Sequence, residues 1–382
     1  MIPFHRPSIG EAEIAEVVDT LRSGWLTSGP KVRQFEQLFG AYVSARHAVA
    51  VSSGTAALQL ALEAIGLDRR DEVIVPTYTF TATGEAVASF GARPVLADCR
   101  SDTLNIDAST VESLITPRTK AVIPVHVAGQ ACDMDPLVCL ARRHGLHVVE
   151  DAAHAVPTTY RGRPIGSIGD LTAFSFYATK SITTGEGGMV TTEREDLAAR
   201  IRRMSLHGLS GDTWSRESDQ GTRFYEVLDL GFKYNLTDVA AAIGIHQVHK
   251  ADEMWRRRRE IAASYTKAFT ALDTCTPPRE MPYGTHAWHL YIVEVNLPAL
   301  THDRDELMRR LRARGIGTAV HFAPLHLHRA YRERFGYAPG AFPVAEQIFE
   351  RALSLPIYPG MTDADVAEVT QAMRDTLGEL RR

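Results

Sequence analysis

Hydrophobic positions along the chain follow two rhythms. Short unbroken apolar runs, HAVAV (47–51), EVIVP (72–76), RPVLAD (93–98), AVIPVH (121–126) and HVVED (147–151), alternate with segments such as TAALQLALEAIG and TATGEAVASFG, whose apolar residues lie three and four apart. An unbroken run suits a strand covered on both faces, and the wider spacing suits an amphipathic helix. The alternation therefore predicts an α/β fold with a large, mostly parallel sheet sandwiched by helices. At the amino end, Ser8 and Glu11 have the spacing of a capping box and predict a helix over about 9–22, and Pro30 opens a second helix through KVRQFEQLFGAY. TAFSF (172–176) and GMVTT (188–192) read as two further strands. Helical spacing then governs about 236–270. The rest is a strand (HLYIVEV), a helix (RDELMRRLRARG), a strand (GTAVHF) and helices near 343–352 and 362–380. The pattern predicts a large α/β domain over 1–250 and a smaller C-terminal α+β domain over 251–382, joined through the long helical stretch.

Composition narrows the function. The 382 residues leave room for two domains, and a formal net charge of −4 gives no overall attraction to nucleic acid. Neither a basic head with an apolar core nor an apolar stretch of about 18 residues occurs. The expectation is a soluble cytoplasmic protein with no membrane or nucleic-acid partner. Cys99, Cys132, Cys139 and Cys275 form no CxxC pair, so neither a zinc ribbon nor a disulfide framework is indicated. Arg256 to Arg259 point around a whole helix circumference and read as a solvated face. His321, His326 and His328 match no standard ligand spacing, and no metal is expected.

The candidate chemistry lies at strand ends, where open α/β sheets bind ligands. After HAVAV, Ser52, Ser53, Gly54 and Thr55 open a helix and offer hydroxyls and unpaired N–H groups to a phosphate. Asp151 closes a buried strand, with His154 three residues on. Lys180 lies in FSFYATKSITTGEGGMV (174–190), a single ammonium in a largely apolar and small-residue setting. A desolvated lysine is a nucleophilic amine that condenses with aldehydes. Pyridoxal phosphate needs a lysine for its aldehyde, an acid for its ring nitrogen and an anion cradle for its phosphate, and the chain offers all three. Phe80, just past the end of EVIVP, supplies an aromatic face for the ring.

SSGTAALQLAL, PTYTFTAT, EDAAHA, the Lys180 segment and GFKYNLTDVAAAIGIHQ together resemble the DegT/DnrJ/EryC1/StrS family of pyridoxal-phosphate sugar aminotransferases, over nearly the whole chain. Within the family, SGWLTSGP, TPRTKAVIPVH, HAWHLYIV and RGIGTAVHF are most similar to the branch that makes UDP-4-amino-4-deoxy-L-arabinose with glutamate as donor; Phe80 departs from it, since that branch carries tryptophan there. The resemblance implies the type I aminotransferase fold. It implies that Lys180 forms a Schiff base with the cofactor, that Asp151 keeps the pyridinium nitrogen protonated and that His154 lies beside the ring. It further implies that Gly54, Thr55, the Ala56 backbone and Ser175 hold the phosphate, and that Asn235 reaches across from the partner subunit of a homodimer. The implied reaction moves an amino group from L-glutamate to a UDP- or dTDP-linked 4-keto sugar.

Trp25, Thr27, Ser28, Lys233, His321 and His326 are candidates for substrate contacts, each equally suited to packing or surface duty. The polar, glycine-punctuated stretch His207–Gly221 reads as a lid or entrance loop. A 3-keto-sugar or keto-inositol acceptor is the alternative within the same chemistry. Sugar dehydratases of the family carry histidine in place of the lysine, so Lys180 argues against that reaction. A regulator that binds the cofactor without turnover is the remaining class.

Overall fold

The computed structural model describes residues 1–210 and 225–382. Thirteen strands occur among them: β1 (His47–Val51), β2 (Glu72–Pro76), β3 (Arg93–Ala97), β4 (Thr119–Val122), β5 (His147–Asp151), β6 (Thr159–Tyr160), β7 (Arg163–Pro164), β8 (Leu171–Ser175), β9 (Gly188–Thr192), β10 (Cys275–Thr276), β11 (Gly284–Thr285), β12 (Tyr291–Val295) and β13 (Ala352–Leu355). Seven form the main sheet in the order β1-β9-β8-β5-β4-β2-β3. From β8 to β3 every neighbouring pair is parallel, and β9 alone runs against both of its neighbours.

Side-chain alternation explains why the runs are unbroken. Ile74, Val148 and Phe174 enter one apolar cluster with Phe35 and Phe39, while Val73, Val75, Val149 and Ala173 enter another with Leu58 and Leu62. Each strand thus contributes to a core on both faces, the arrangement that helix-covered parallel sheets require.

A smaller antiparallel sheet, β10-β12-β13, packs with the helices Ala251–Phe269, Arg304–Ala313 and Asp363–Leu380 around Tyr265, Phe269, Val293, Leu307 and Met373. Ile2 belongs to this cluster as well: its N–H donates to the Gly315 carbonyl at 2.8 Å and its carbonyl accepts from Gly317 N at 2.9 Å. We propose the boundary between a large and a small domain at Lys250, with the first few residues crossing to the small one. No helix among the described residues is long and apolar enough to cross a membrane.

Four local expectations need correction. The first helix runs Glu11–Ser23 with Gly10 at its N-cap, and the Glu13 carboxylate accepts from Gly10 N at 2.9 Å. Ser8 lies outside it, its carbonyl accepting from Gln247 and Lys250. The stretch 236–270 is two helices, Asp238–His249 and Ala251–Phe269, because Lys250 leaves helical geometry at ψ 6°. GTAVHF is not a strand: Ile316 and Ala319 make single bridges, to Ile2 and Ser354, and Ala319, Val320, His321 and Phe322 instead wall a cavity. Among the four arginines, Arg258 is fully buried rather than solvated, its Nη1 donating to Ile357 O at 2.7 Å and more weakly to the carbonyls of Trp288 and His289. Burial brings its pKa down to about 10. Of the stretch proposed as a lid, residues 211–221 lie outside the described residues.

Candidate active site

The ends of β1, β2, β5 and β8 open onto one cavity of about 620 Å³. Gly54, Thr55, Phe80, Asp151, His154, Ser175, Lys180 and His321 all line it. Residues separated by more than 250 positions therefore meet where the strand order of the sheet directs them.

Beyond β1, Ser53 caps the helix Gly54–Ala64, its Oγ accepting from Ala56 N at 3.0 Å. That bond occupies the Ala56 N–H, so Gly54 and Thr55 hold the remaining first-turn N–H groups, which an α-helix cannot satisfy internally. The turn is packed too tightly for other residues: a Cβ on Gly54 would lie 2.7 Å from Ser175 Cβ, and one on Gly188 would lie 2.3 Å from the Ser53 carbonyl oxygen. The glycines after Lys180 thus bring β9 against the turn. The cradle joins backbone donors, the positive end of a helix and the side chains of Ser53, Thr55 and Ser175, which fits a phosphate group.

Asp151 is 6 % exposed. Its Oδ2 accepts from Thr83 Oγ1 at 2.8 Å and its Oδ1 from Ala153 N at 3.1 Å. Its backbone is fixed by bonds to Pro124 O and His126 N. Lys180 has an intermediate exposure, yet its ammonium sits within the cavity walls. Loss of water drives its pKa down, the Asp151 charge pulls it up, and desolvation wins, leaving the amine at about 8. His154 Nδ1 accepts from Ala128 N at 3.3 Å, so the proton of the neutral ring is on Nε2. Burial, with the Lys180 charge adding to it, holds His154 well below its ordinary pKa, and the imidazole is neutral. Its ring stacks on Phe322 at 5.7 Å. Phe80 is 61 % exposed at the start of the helix Thr81–Ala88, a large apolar face turned to the cavity. The donors and acceptors therefore fit pyridoxal phosphate: an amine of lowered pKa, a buried carboxylate, an aromatic face and an anion cradle share one space.

Other candidates fall elsewhere. His321 lines the cavity and its Nδ1 bonds Ser354 Oγ at 2.9 Å; burial, then the Lys180 charge, lowers its pKa to about 4. His326 is fully buried between Thr77 Oγ1 at 2.7 Å and Glu346 at 2.8 Å, outside the cavity, where it ties the segment after β2 to the helix Pro343–Arg351. Trp25, Thr27, Ser28, Lys233 and Asn235 form a separate knot. Trp25 Nε1 donates to Ser28 O at 3.2 Å, Asn235 Nδ2 donates to Ser28 Oγ at 2.7 Å, and Lys233 donates to Asn235 Oδ1. Thr27 O accepts from Asp238 N. None of the five lines the cavity of its own chain. Phe4, His5, Thr79, His289 and Phe322 do line it and were not singled out from the sequence. Thr79 and Thr83 lie four apart in PTYTFTAT; Thr79 precedes the helix Thr81–Ala88 and Thr83 lies in its first turn, and their hydroxyls meet at 2.8 Å.

A family model for the DegT/DnrJ/EryC1/StrS aminotransferase family matches residues 7–374. The spore coat polysaccharide biosynthesis protein SpsC of Bacillus subtilis is 52% identical over 375 residues, covering 98% of this chain and 96% of its own. Among solved structures, the PMP-form of Spr1654 from Streptococcus pneumoniae superposes with a TM-score of 0.94 at 34% identity, covering 99% of this chain and 100% of that one; its PLP-form gives 0.92. Helicobacter pylori PseC, an aminotransferase involved in the biosynthesis of pseudoaminic acid, gives 0.92 at 27% identity over 99% of this chain and 100% of its own.

Proposed function

Because the chain belongs to the DegT/DnrJ/EryC1/StrS aminotransferase family, and is accordingly a pyridoxal-phosphate-dependent sugar aminotransferase, we propose that it transfers the amino group of L-glutamate to a nucleotide-linked 4-keto sugar. The observation that carries the reading is the meeting of Lys180, Asp151 and the Ser53–Thr55 turn in one cavity, with the lysine desolvated. The polysaccharide role in the name of SpsC and the pseudoaminic acid role of PseC support a sugar destined for a glycan.

Bound pyridoxal phosphate supplies an aldehyde and a ring that withdraws the electrons of a breaking C–H bond. The protein does the rest. Lys180 is both the nucleophile that holds the cofactor and, when released, the base that moves a proton at the donor's α-carbon. Asp151 holds a proton at the ring nitrogen. Thr55, Ser175 and the first-turn N–H groups anchor the phosphate, and the walls at Phe80, His154 and Phe322 exclude water from the reacting atoms. The Trp25–Asn235 knot, which lies outside its own cavity, supports a homodimer in which Asn235 and its neighbours complete the partner's site.

Two measurements follow. In the cofactor-free protein, reductive methylation at Lys180 should rise with pH and reach half its maximum near pH 8, since only the unprotonated amine reacts and its pKa is about 8; an unperturbed lysine would reach that point only near pH ~10.4. The substrate class is tested with UDP- and dTDP-linked 4-keto and 3-keto sugars and a keto-inositol, with glutamate as donor. Product mass and amine position should report amination at C4 of a sugar nucleotide; exclusive turnover of a 3-keto sugar or keto-inositol would replace the proposal.

A further inference from the structure

The hydroxyl pair Thr79–Thr83 stands directly behind Asp151. Thr83 Oγ1 is 2.8 Å from Asp151 Oδ2 and 2.8 Å from Thr79 Oγ1, with Thr83 0 % and Thr79 2 % exposed. A carboxylate only accepts, so the single hydroxyl hydrogen of Thr83 goes to Asp151. Thr83 then has only its lone pairs left for Thr79, and the Thr79 hydrogen must point at Thr83. The direction of the chain is therefore fixed, from Thr79 through Thr83 to Asp151. Thr79 itself lines the cavity.

We propose that Thr83, backed by Thr79, is a positioning residue for the reaction: its hydroxyl fixes the rotation of the Asp151 carboxylate, so that the cofactor ring meets a preset oxygen. The inference rests on the assignment of Asp151 to the ring nitrogen. The physical basis is a buried hydrogen bond to a charged acceptor, the strong class of such bonds. Ala153 N fixes Oδ1 from the other side, so the two donors together define the carboxylate plane. Neither threonine needs to touch the reacting atoms.

The test uses the cofactor-loaded enzyme. Thr83→Val keeps the β-branched shape and removes the donor; kcat should fall about tenfold, with KM for glutamate unchanged and the absorbance band of the bound cofactor shifted. Thr83→Ser should restore both. Thr79→Val should give a smaller loss, about two- to threefold, because it acts one bond further out. In the Asp151→Asn background, adding Thr83→Val should change kcat less than twofold, since the charge whose orientation Thr83 sets is already gone. A Thr83→Val enzyme with wild-type kcat and spectrum, or losses that multiply fully with Asp151→Asn, would overturn the inference while leaving the Asp151 assignment intact. If Thr83→Val fails to fold, the Thr79→Val and Thr83→Ser results decide, with wild-type behaviour of Thr79→Val or failed rescue by serine counting against it. An Asp151→Asn enzyme as active as wild type would instead remove the assignment beneath it.

Discussion

Lys180→Ala is expected to lower turnover by at least about a thousandfold, and to remove the near-visible absorbance of the bound cofactor. Lys180 is the only lysine that lines the cavity of its own chain among the described residues. Its pKa of about 8 leaves a substantial unprotonated fraction at neutral pH, whereas an amine at ~10.4 would offer well under one part in a thousand at pH 7. The same desolvation that activates the amine works against the charged form in the folded state. In the cofactor-free protein, removing it should therefore leave the melting temperature unchanged or slightly raised, which separates loss of chemistry from loss of fold. Borohydride reduction of the wild-type holoenzyme followed by peptide mapping should put the label at position 180. An active alanine variant, or a label elsewhere, would end the assignment.

Much of the fold was legible because the main sheet is buried on both faces. HAVAV, EVIVP and HVVED have no solvent side, so they appear as unbroken apolar runs with matching boundaries. GTAVHF looked the same and is not a strand, since its apolar residues serve the cavity wall and the docking of Ile2 instead of a ladder. The site was legible where a polar residue interrupts a run at a strand end, as Asp151, Ser175 and Thr55 do. It was illegible where tertiary packing brings in distant segments. His5 and His289 reach the cavity from segments far apart in the chain, and nothing local distinguishes them from surface histidines. His326 shows the converse: a plausible substrate contact by residue type, it is consumed by Thr77 and Glu346, partners that no local pattern reveals. Arg258 is illegible for the same reason, because a run of four arginines does not say which one faces three buried carbonyls.

Asp151→Asn should keep the fold and lose about a hundredfold or more in kcat. The amide has nearly the same shape, and the groups around it can adapt. Ala153 N only donates, so the asparagine oxygen must turn toward it, which faces the amide nitrogen toward Thr83. The Thr83 hydroxyl can then rotate to accept from that nitrogen and pass its own hydrogen to Thr79, reversing the pair without leaving a buried group unmatched. Stability is conserved, and the Lys180 amine and the phosphate cradle still retain the cofactor. What disappears is the negative charge that holds a proton at the ring nitrogen, and with it the electron withdrawal that eases removal of the α-proton. The lost charge has a second reading at Lys180. Asp151 is the influence that raises the lysine pKa, so in the asparagine variant the amine should fall further below about 8, and the half-maximal pH for methylation at position 180 should move down. A variant with wild-type kcat, or an unmoved labelling midpoint, would show that Asp151 does not govern the amine and the ring in the way its position requires.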